Sequence, residues 1–149
     1  MKALLQRVAW AEVQAGGETV ARIGRGLIVY LGVALTDTSA DAERLAAKAA
    51  GLRVFEDEQE KMNLSVRDVG GDVLAVSSFT LLADAKKGRR PAFAAAAPGL
   101  HAEPLYCHFV LEMQRLGCKV QRGVFGASMK IRSEAEGPVN IIIETPEGV

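Results

Sequence analysis

Near the middle of the chain, Ser77, Ser78 and Thr80 stand in an otherwise apolar run, DVLAVSSFTLLAD, with Phe79 among them. Hydroxyls in an apolar strand cost free energy unless they find hydrogen-bond partners. One reading is that backbone groups at a strand end satisfy them. The other is a pocket in which hydroxyls and backbone N–H groups surround a reacting carbonyl and stabilise its oxyanion. With strand periodicity Ser78 and Thr80 share one face, and Ser77 and Phe79 the other. A second stretch, EAEGPVNIIIE, sets Gly137-Pro138 against the opening of what reads as a fully buried strand, Val139 to Ile143. Proline lacks an N–H and locks φ, so it belongs at strand starts and edges. X-Pro is also the one peptide bond with a realistic cis option. Such a corner is either structural punctuation or stiff backbone presented to something.

Conventional catalytic equipment does not show in the sequence. There is no HExxH, P-loop, GxSxG or GxGxxG. His101 and His108 have no nucleophile or carboxylate in recognisable spacing and read as surface or core-edge residues. The acidic run EDEQEK at 56–61 reads as a solvated turn rather than a metal cluster. Cys107 and Cys118 show no ligand spacing and read as ordinary thiols of a reduced compartment. No metal and no cofactor is expected, so any catalysis must act on a substrate that is already reactive.

The 18 basic and 18 acidic residues cancel, so nothing global demands nucleic acid. A neutral sum can hide a local basic patch, and KKGRR places Lys86, Lys87, Arg89 and Arg90 in one compact loop. Lys130 and Arg132 fall on one face of a later strand. The N-terminus carries charge too early for a signal peptide, and GLIVYLGVAL is far short of a membrane span. A cytoplasmic protein that does not enter membranes is expected.

These residues need elements to hold them. ALLQRVAWAEVQ alternates as a half-buried strand, GGETVARIGRG gives turn, strand and turn, and GLIVYLGVAL is a central strand. A helix follows, capped by Ser39 or Asp41, with Leu45, Ala49 and Leu52 as its stripe and Gly51 near its stop. A polar connection encloses a short MNLSV strand before DVLAVSSFTLLA resumes as a buried strand. The breaker-rich DAKKGRRPAFAAAAPG is a loop, AEPLYCHFVLEMQRLG a second helix, and the remainder two or three strands. The order βββ-α-ββ-α-βββ predicts one α+β domain over residues 1–149, a curled, barrel-like sheet with two covering helices.

Taken together the stretches resemble the D-aminoacyl-tRNA deacylase family nearly end to end. ALLQRV, IGRGLIVYLGV, RVFEDEQEKMNLSV, GGDVLAVSSFTLLAD, GRRPAF, LYCHFV, GVFGASM and EGPV all carry the likeness. The family's signatures, Ser-Gln-Phe-Thr-Leu and Asn-X-Gly-Pro-Val-Thr, correspond to residues 77–81 and 135–140 here. The resemblance implies hydrolysis of the ester of D-aminoacyl-tRNA, and passage of glycyl esters too. It implies a homodimer in which a cis Gly137-Pro138, with Val139, reaches into the partner's site as a chiral filter. Arg7 would hold that corner, while Phe125 and Met129 would line a pocket for the terminal adenosine. Thr80 would polarise the carbonyl rather than attack it, the substrate's ribose 2′-hydroxyl assisting. Lys86, Lys87, Arg89 and Arg90 would attract tRNA phosphates.

Three positions depart from the family pattern: Ser78 for glutamine, Ala135 for asparagine and Asn140 for threonine. Serine is shorter and lacks an amide's paired donor and acceptor, so one hydrogen bond in the pocket disappears or passes to water. Two expectations follow: a working chiral editor, or a diverged member that binds tRNA ends with little turnover.

Overall fold

A computed structural model of the chain describes residues 1–146. Strands β1 (Lys2–Ala15), β2 (Glu18–Ile23) and β3 (Gly26–Gly32) lead into helix α1 (Ser39–Gly51). Then come β4 (Phe55–Glu56), β5 (Met62–Leu64), β6 (Asp72–Ser77), a 3₁₀ turn (Phe79–Leu82) and helix α2 (Gly99–Arg115). Strands β7 (Lys119–Arg122) and β8 (Met129–Glu144) complete the described chain.

The observed order is therefore βββ-α-βββ-α-ββ, not the expected βββ-α-ββ-α-βββ. Two-residue β4 has no period to read and exists by pairing with β5 around the acidic turn. In that turn the Asp57 carboxylate accepts the N–H groups of Gln59 and Lys61. The N-cap of α1 is neither of the expected Ser39 and Asp41. Thr38 precedes the helix, and Asp41 accepts its N–H at 2.8 Å and its hydroxyl at 3.0 Å.

Strand β1 organises the sheet. One edge pairs antiparallel with β8 along almost its full length; the other pairs with β3 from Lys2 to Val8 and with β2 from Ala11 to Ala15. Strands β3, β6 and β7 continue in parallel register. The sheet curls into the expected nearly closed, barrel-like surface, covered by α1 and α2. The central strands bury side chains on both faces, and alternation along them sorts these side chains. Leu27, Val29, Val73 and Ala75 face the helices with Leu45, Phe109 and Met113. Ile28, Leu74 and Val76 fill the inside of the curl with Val8 and Val13.

Three strand expectations need correction. β6 ends at Ser77 rather than running on through residues 78–82. The Ser78 N–H still bonds Leu31 O at 2.8 Å, but the chain then winds into the 3₁₀ turn over Gly32. A Cβ on Gly32 would lie 2.3 Å from Leu82 Cδ2 and 3.0 Å from Ser78 O, so a bare backbone there makes room for the turn. Val139 to Ile143 is a strand but not a fully buried one, because only β1 flanks it in the described chain. Val139 is 7% exposed and Ile142 64%. Nor does Pro138 open that strand. β8 begins at Met129 and passes through Gly137-Pro138, where its register with β1 shifts. Proline without an N–H is tolerated at such an irregularity.

Candidate active site

A cavity of about 540 Å³ opens where the helix-side core meets the inside of the curl. That volume suits a small organic ligand. Its wall is assembled from strand ends and a helix start: Tyr30 and Leu31 of β3, Val76 and Ser77 of β6, Ala102 and Tyr106 of α2. Phe125 and Met129, from the β7–β8 connection and the start of β8, close the far side. Ser78, Phe79 and Thr80 bring the 3₁₀ turn to the same cavity. The lining is thus mainly apolar with a hydroxyl-bearing edge, as a site that holds a ring and orients one polar group requires.

The 3₁₀ turn supplies the polar edge. Ser78 Oγ and Thr80 Oγ1 lie 3.1 Å apart, so the two hydroxyls do meet, through a turn rather than through strand alternation. Within this segment the Ser78 N–H goes to Leu31 O, the Leu81 N–H to Ser78 O and the Ala83 N–H to Thr80 O. The first N–H groups of a helical turn have no acceptor inside it. Among the described residues those of Phe79 and Thr80 meet no acceptor and are left for solvent or a ligand. Phe79 is 57% exposed and meets Phe93 nearly edge-to-face, centroids 5.1 Å apart.

Tyr106 and Tyr30 are site residues that sequence reasoning missed. Tyr106 donates to Ala75 O at 3.0 Å and packs against Phe125 at 5.7 Å between centroids. Burial, foremost, pushes its phenol up to about 12, so it stays protonated and tied to β6. Burial likewise raises Tyr30. The available signal was Ala102, a small residue one turn before Tyr106, which leaves an opening beside an aromatic on α2.

The Gly137-Pro138 corner stands apart from this cavity. Its peptide bond is cis, Gly137 has φ +118°, and both residues are exposed. Arg7 is buried on the helix side of β1. It donates from Nε to Glu136 O at 3.4 Å and from a terminal nitrogen to Val54 O at 2.9 Å. One guanidinium thereby ties the corner to the end of the α1–β4 connection. Beside it Gln6 donates its amide to Asn140 Oδ1 at 3.1 Å. Of the candidate site residues, Ser77, Ser78, Phe79, Thr80, Phe125 and Met129 share one cavity; Arg7, Gly137, Pro138 and Val139 do not line it.

Lys86, Lys87, Arg89 and Arg90 lie on an exposed loop whose ends are joined by reciprocal backbone bonds between Asp84 and Ala92. The histidines bond to groups away from the cavity wall, His101 with Asp37 O at 3.0 Å and His108 with Glu43 at 2.9 Å. Cys107 and Cys118 are free thiols, the latter raised by burial. Among the described residues no His, Cys, Asp or Glu side chains group as a metal site would need, and no helix is long and apolar enough to cross a membrane.

The family described as D-Tyr-tRNA(Tyr) deacylase matches residues 4–144. This chain belongs to it. A D-aminoacyl-tRNA deacylase of Desulfatibacillum aliphaticivorans is 50% identical over 145 residues, covering 97% of this chain and 99% of the relative. That of Thermus aquaticus is 51% identical over 147 residues, covering 99% and 97%. Among solved structures, one named c-Myc DNA Unwinding Element Binding Protein superposes with a TM-score of 0.93 at 41% identity, covering 98% of this chain and 99% of that one. A probable eukaryotic D-amino acid tRNA deacylase shares the fold, with a TM-score of 0.82 at 18% identity and coverage of 96% and 98%. In this member of the deacylase family, Thr80 stands at the cavity edge and Gly137-Pro138 on the outer surface.

Proposed function

We propose that this chain hydrolyses the ester linking a D-amino acid, or glycine, to the 3′ end of tRNA. The carrying observation is the 3₁₀ turn, which sets the Thr80 hydroxyl, and the Phe79 and Thr80 N–H groups that meet no acceptor among the described residues, at the edge of a cavity walled by Phe125 and Met129. The adenine lies against Phe125 and Met129, an aromatic face and a soft thioether. The ester carbonyl then falls near the turn, where each well-aimed donor stabilises the developing oxyanion by roughly 3–4 kcal/mol. Thr80 orients and polarises; among the described residues its hydroxyl meets Ser78 Oγ rather than a base, so it is not the nucleophile. Water attacks, assisted by the ribose 2′-hydroxyl. An activated ester needs no more than this moderate help.

Stereochemistry is read by a second copy of the chain. The corner lies outside its own cavity and is gripped from behind by Arg7, an arrangement that supports presentation to a partner. In a two-fold dimer each Gly137-Pro138-Val139 completes the other protomer's site. Stiff backbone there clashes with an L side chain and leaves a D side chain room, so selection works by exclusion. Glycine, lacking a side chain, passes.

Single-turnover deacylation of D-Tyr-, L-Tyr- and Gly-tRNA by the purified protein tests this reading. Rapid loss of the D and glycyl esters with the L ester spared is the expected result. No release above buffer, with tRNA still bound, would instead favour the diverged binder, for which Ser78 in place of glutamine is the observation. Equal loss of D and L esters would refute the filter.

A further inference from the structure

An aromatic side chain more than half exposed at the edge of an apolar cavity calls for an explanation beyond the cavity itself. Phe79 is 57% exposed, and half-buried Phe93 packs against it. Phe93 immediately follows Ala92, the closing residue of the basic loop, whose bonds with Asp84 are 2.7 and 2.8 Å. The loop is thereby anchored at the cavity edge. Residues 85–91, running out and back, keep the Cα atoms of its four basic residues within about 11 Å of that anchor. Among the described residues none of Lys86, Lys87, Arg89 and Arg90 has an ion-pair partner, and all four side chains are exposed. The Asp84 carboxylate is turned to the loop's own backbone, accepting the Lys86 N–H at 2.9 Å.

We propose that Phe79, Phe93 and the loop between Asp84 and Ala92 form a seat for the single-stranded RNA that leads into the cavity. The base preceding the esterified adenosine stacks on the open part of Phe79, and the phosphates before it lie along the four cations. An aromatic platform beside a positive track is how proteins hold a single strand without reading its sequence. Sequence tolerance is apt here, because the unpaired end is common to all tRNAs while their bodies differ. The inference rests on the function proposed above and adds the path of the substrate's strand outside the cavity.

The test compares D-Tyr-tRNA with two minimal esters, 3′-O-D-tyrosyl-adenosine and the same ester of the dinucleotide CpA. The proteins are the unaltered chain, a variant with Lys86, Lys87, Arg89 and Arg90 all changed to Ser, and Phe79→Leu. The loop variant should raise KM for D-Tyr-tRNA about tenfold or more with little change in kcat, and flatten the dependence of log KM on log salt by about 0.7 for each phosphate no longer neutralised. It should hydrolyse the adenosine ester as the unaltered chain does, which also certifies its fold. The unaltered chain should bind the CpA ester several-fold better than the adenosine ester, and Phe79→Leu should erase that advantage. If the loop variant and the unaltered chain treat tRNA alike while both hydrolyse the adenosine ester, this inference fails and the activity stands. A loop variant equally impaired on the adenosine ester would also overturn it, since the effect would not follow the strand. If the unaltered chain hydrolyses none of the three esters, the activity fails and takes the inference with it.

Discussion

Thr80 and Ser78 form the smallest working unit of the proposed site, two hydroxyls 3.1 Å apart at the edge of the cavity. If the Thr80 hydroxyl polarises the ester carbonyl, Thr80→Ala should lower kcat on D-Tyr-tRNA by about 10²-fold with KM little changed. Unchanged turnover in the single-turnover assay would leave the task to the backbone N–H groups alone. Ser78→Ala should cost less, a few-fold in the same assay, because it frees the Thr80 hydroxyl without removing it. At the corner, a Cβ on Gly137 would come 2.9 Å from Val139 Cγ2 and 3.3 Å from an Arg7 nitrogen, at a φ of +118° that L side chains rarely adopt. Gly137→Ala should therefore move the corner and let L-Tyr-tRNA be hydrolysed. Retained rejection of the L ester, with D turnover intact, would show that the corner is not the filter.

Among the elements, the 3₁₀ turn and α2 decide whether these residues meet. The turn fits over β3 because Gly32 has no side chain. Gly32→Ala should destabilise the fold by about 1–3 kcal/mol, as overpacking does, and lower kcat by shifting Thr80. Urea unfolding together with D-Tyr-tRNA turnover checks both, and a stability loss with full activity would separate the turn's position from its chemistry. Helix α2 is tied to β6 by the Tyr106 hydroxyl on Ala75 O, an acceptor that also receives the Gly123 N–H at 3.0 Å. Since that carbonyl keeps a donor, Tyr106→Phe should cost only about 1 kcal/mol. The folded state holds the phenol up to about 12, against about 10 for an unperturbed tyrosine. Its contribution to stability is thus fully present below pH 10 and lost as pH rises from 10 towards 12. Denaturation between pH 8 and 11 should show a fall above pH 10 that Tyr106→Phe lessens, the share owed to half-buried Tyr30 remaining.

For the whole molecule, the question is why the corner and the cavity lie apart in one chain. If a partner brings them together, chains with different defects should repair each other. Thr80→Ala protomers have intact corners; Gly137→Ala protomers have intact hydroxyl edges. In a mixed dimer the intact edge of one faces the intact corner of the other. Co-expressing an excess of Thr80→Ala chain with Gly137→Ala chain should restore D-over-L selectivity to the sites that still turn over. Selectivity unaltered by mixing would mean that the corner serves its own chain or none.

Much of this protein was legible from local pattern and signature. Residues near in sequence announce themselves by period and by type: the alternation in ALLQRVAWAEVQ, the continuous β-branched run GLIVYLGVAL, the stripe on α1, and a family likeness that runs nearly end to end. The end of β6 was not legible. SSFTLL has the composition of a strand, and only the partner backbone at Gly32 turns it into a 3₁₀ turn. Nor was the exposure of Ile142, since burial of the last strand depends on what flanks it beyond β1. Tyr106 was hidden for the same reason: a helical aromatic reads as core until the neighbouring elements leave a cavity beside it. Local propensity and signature segments were written in the chain. Which backbone comes close to which, and therefore where the cavity opens and which way the corner faces, depends on residues far apart in sequence meeting one another, and they meet only when the elements pack.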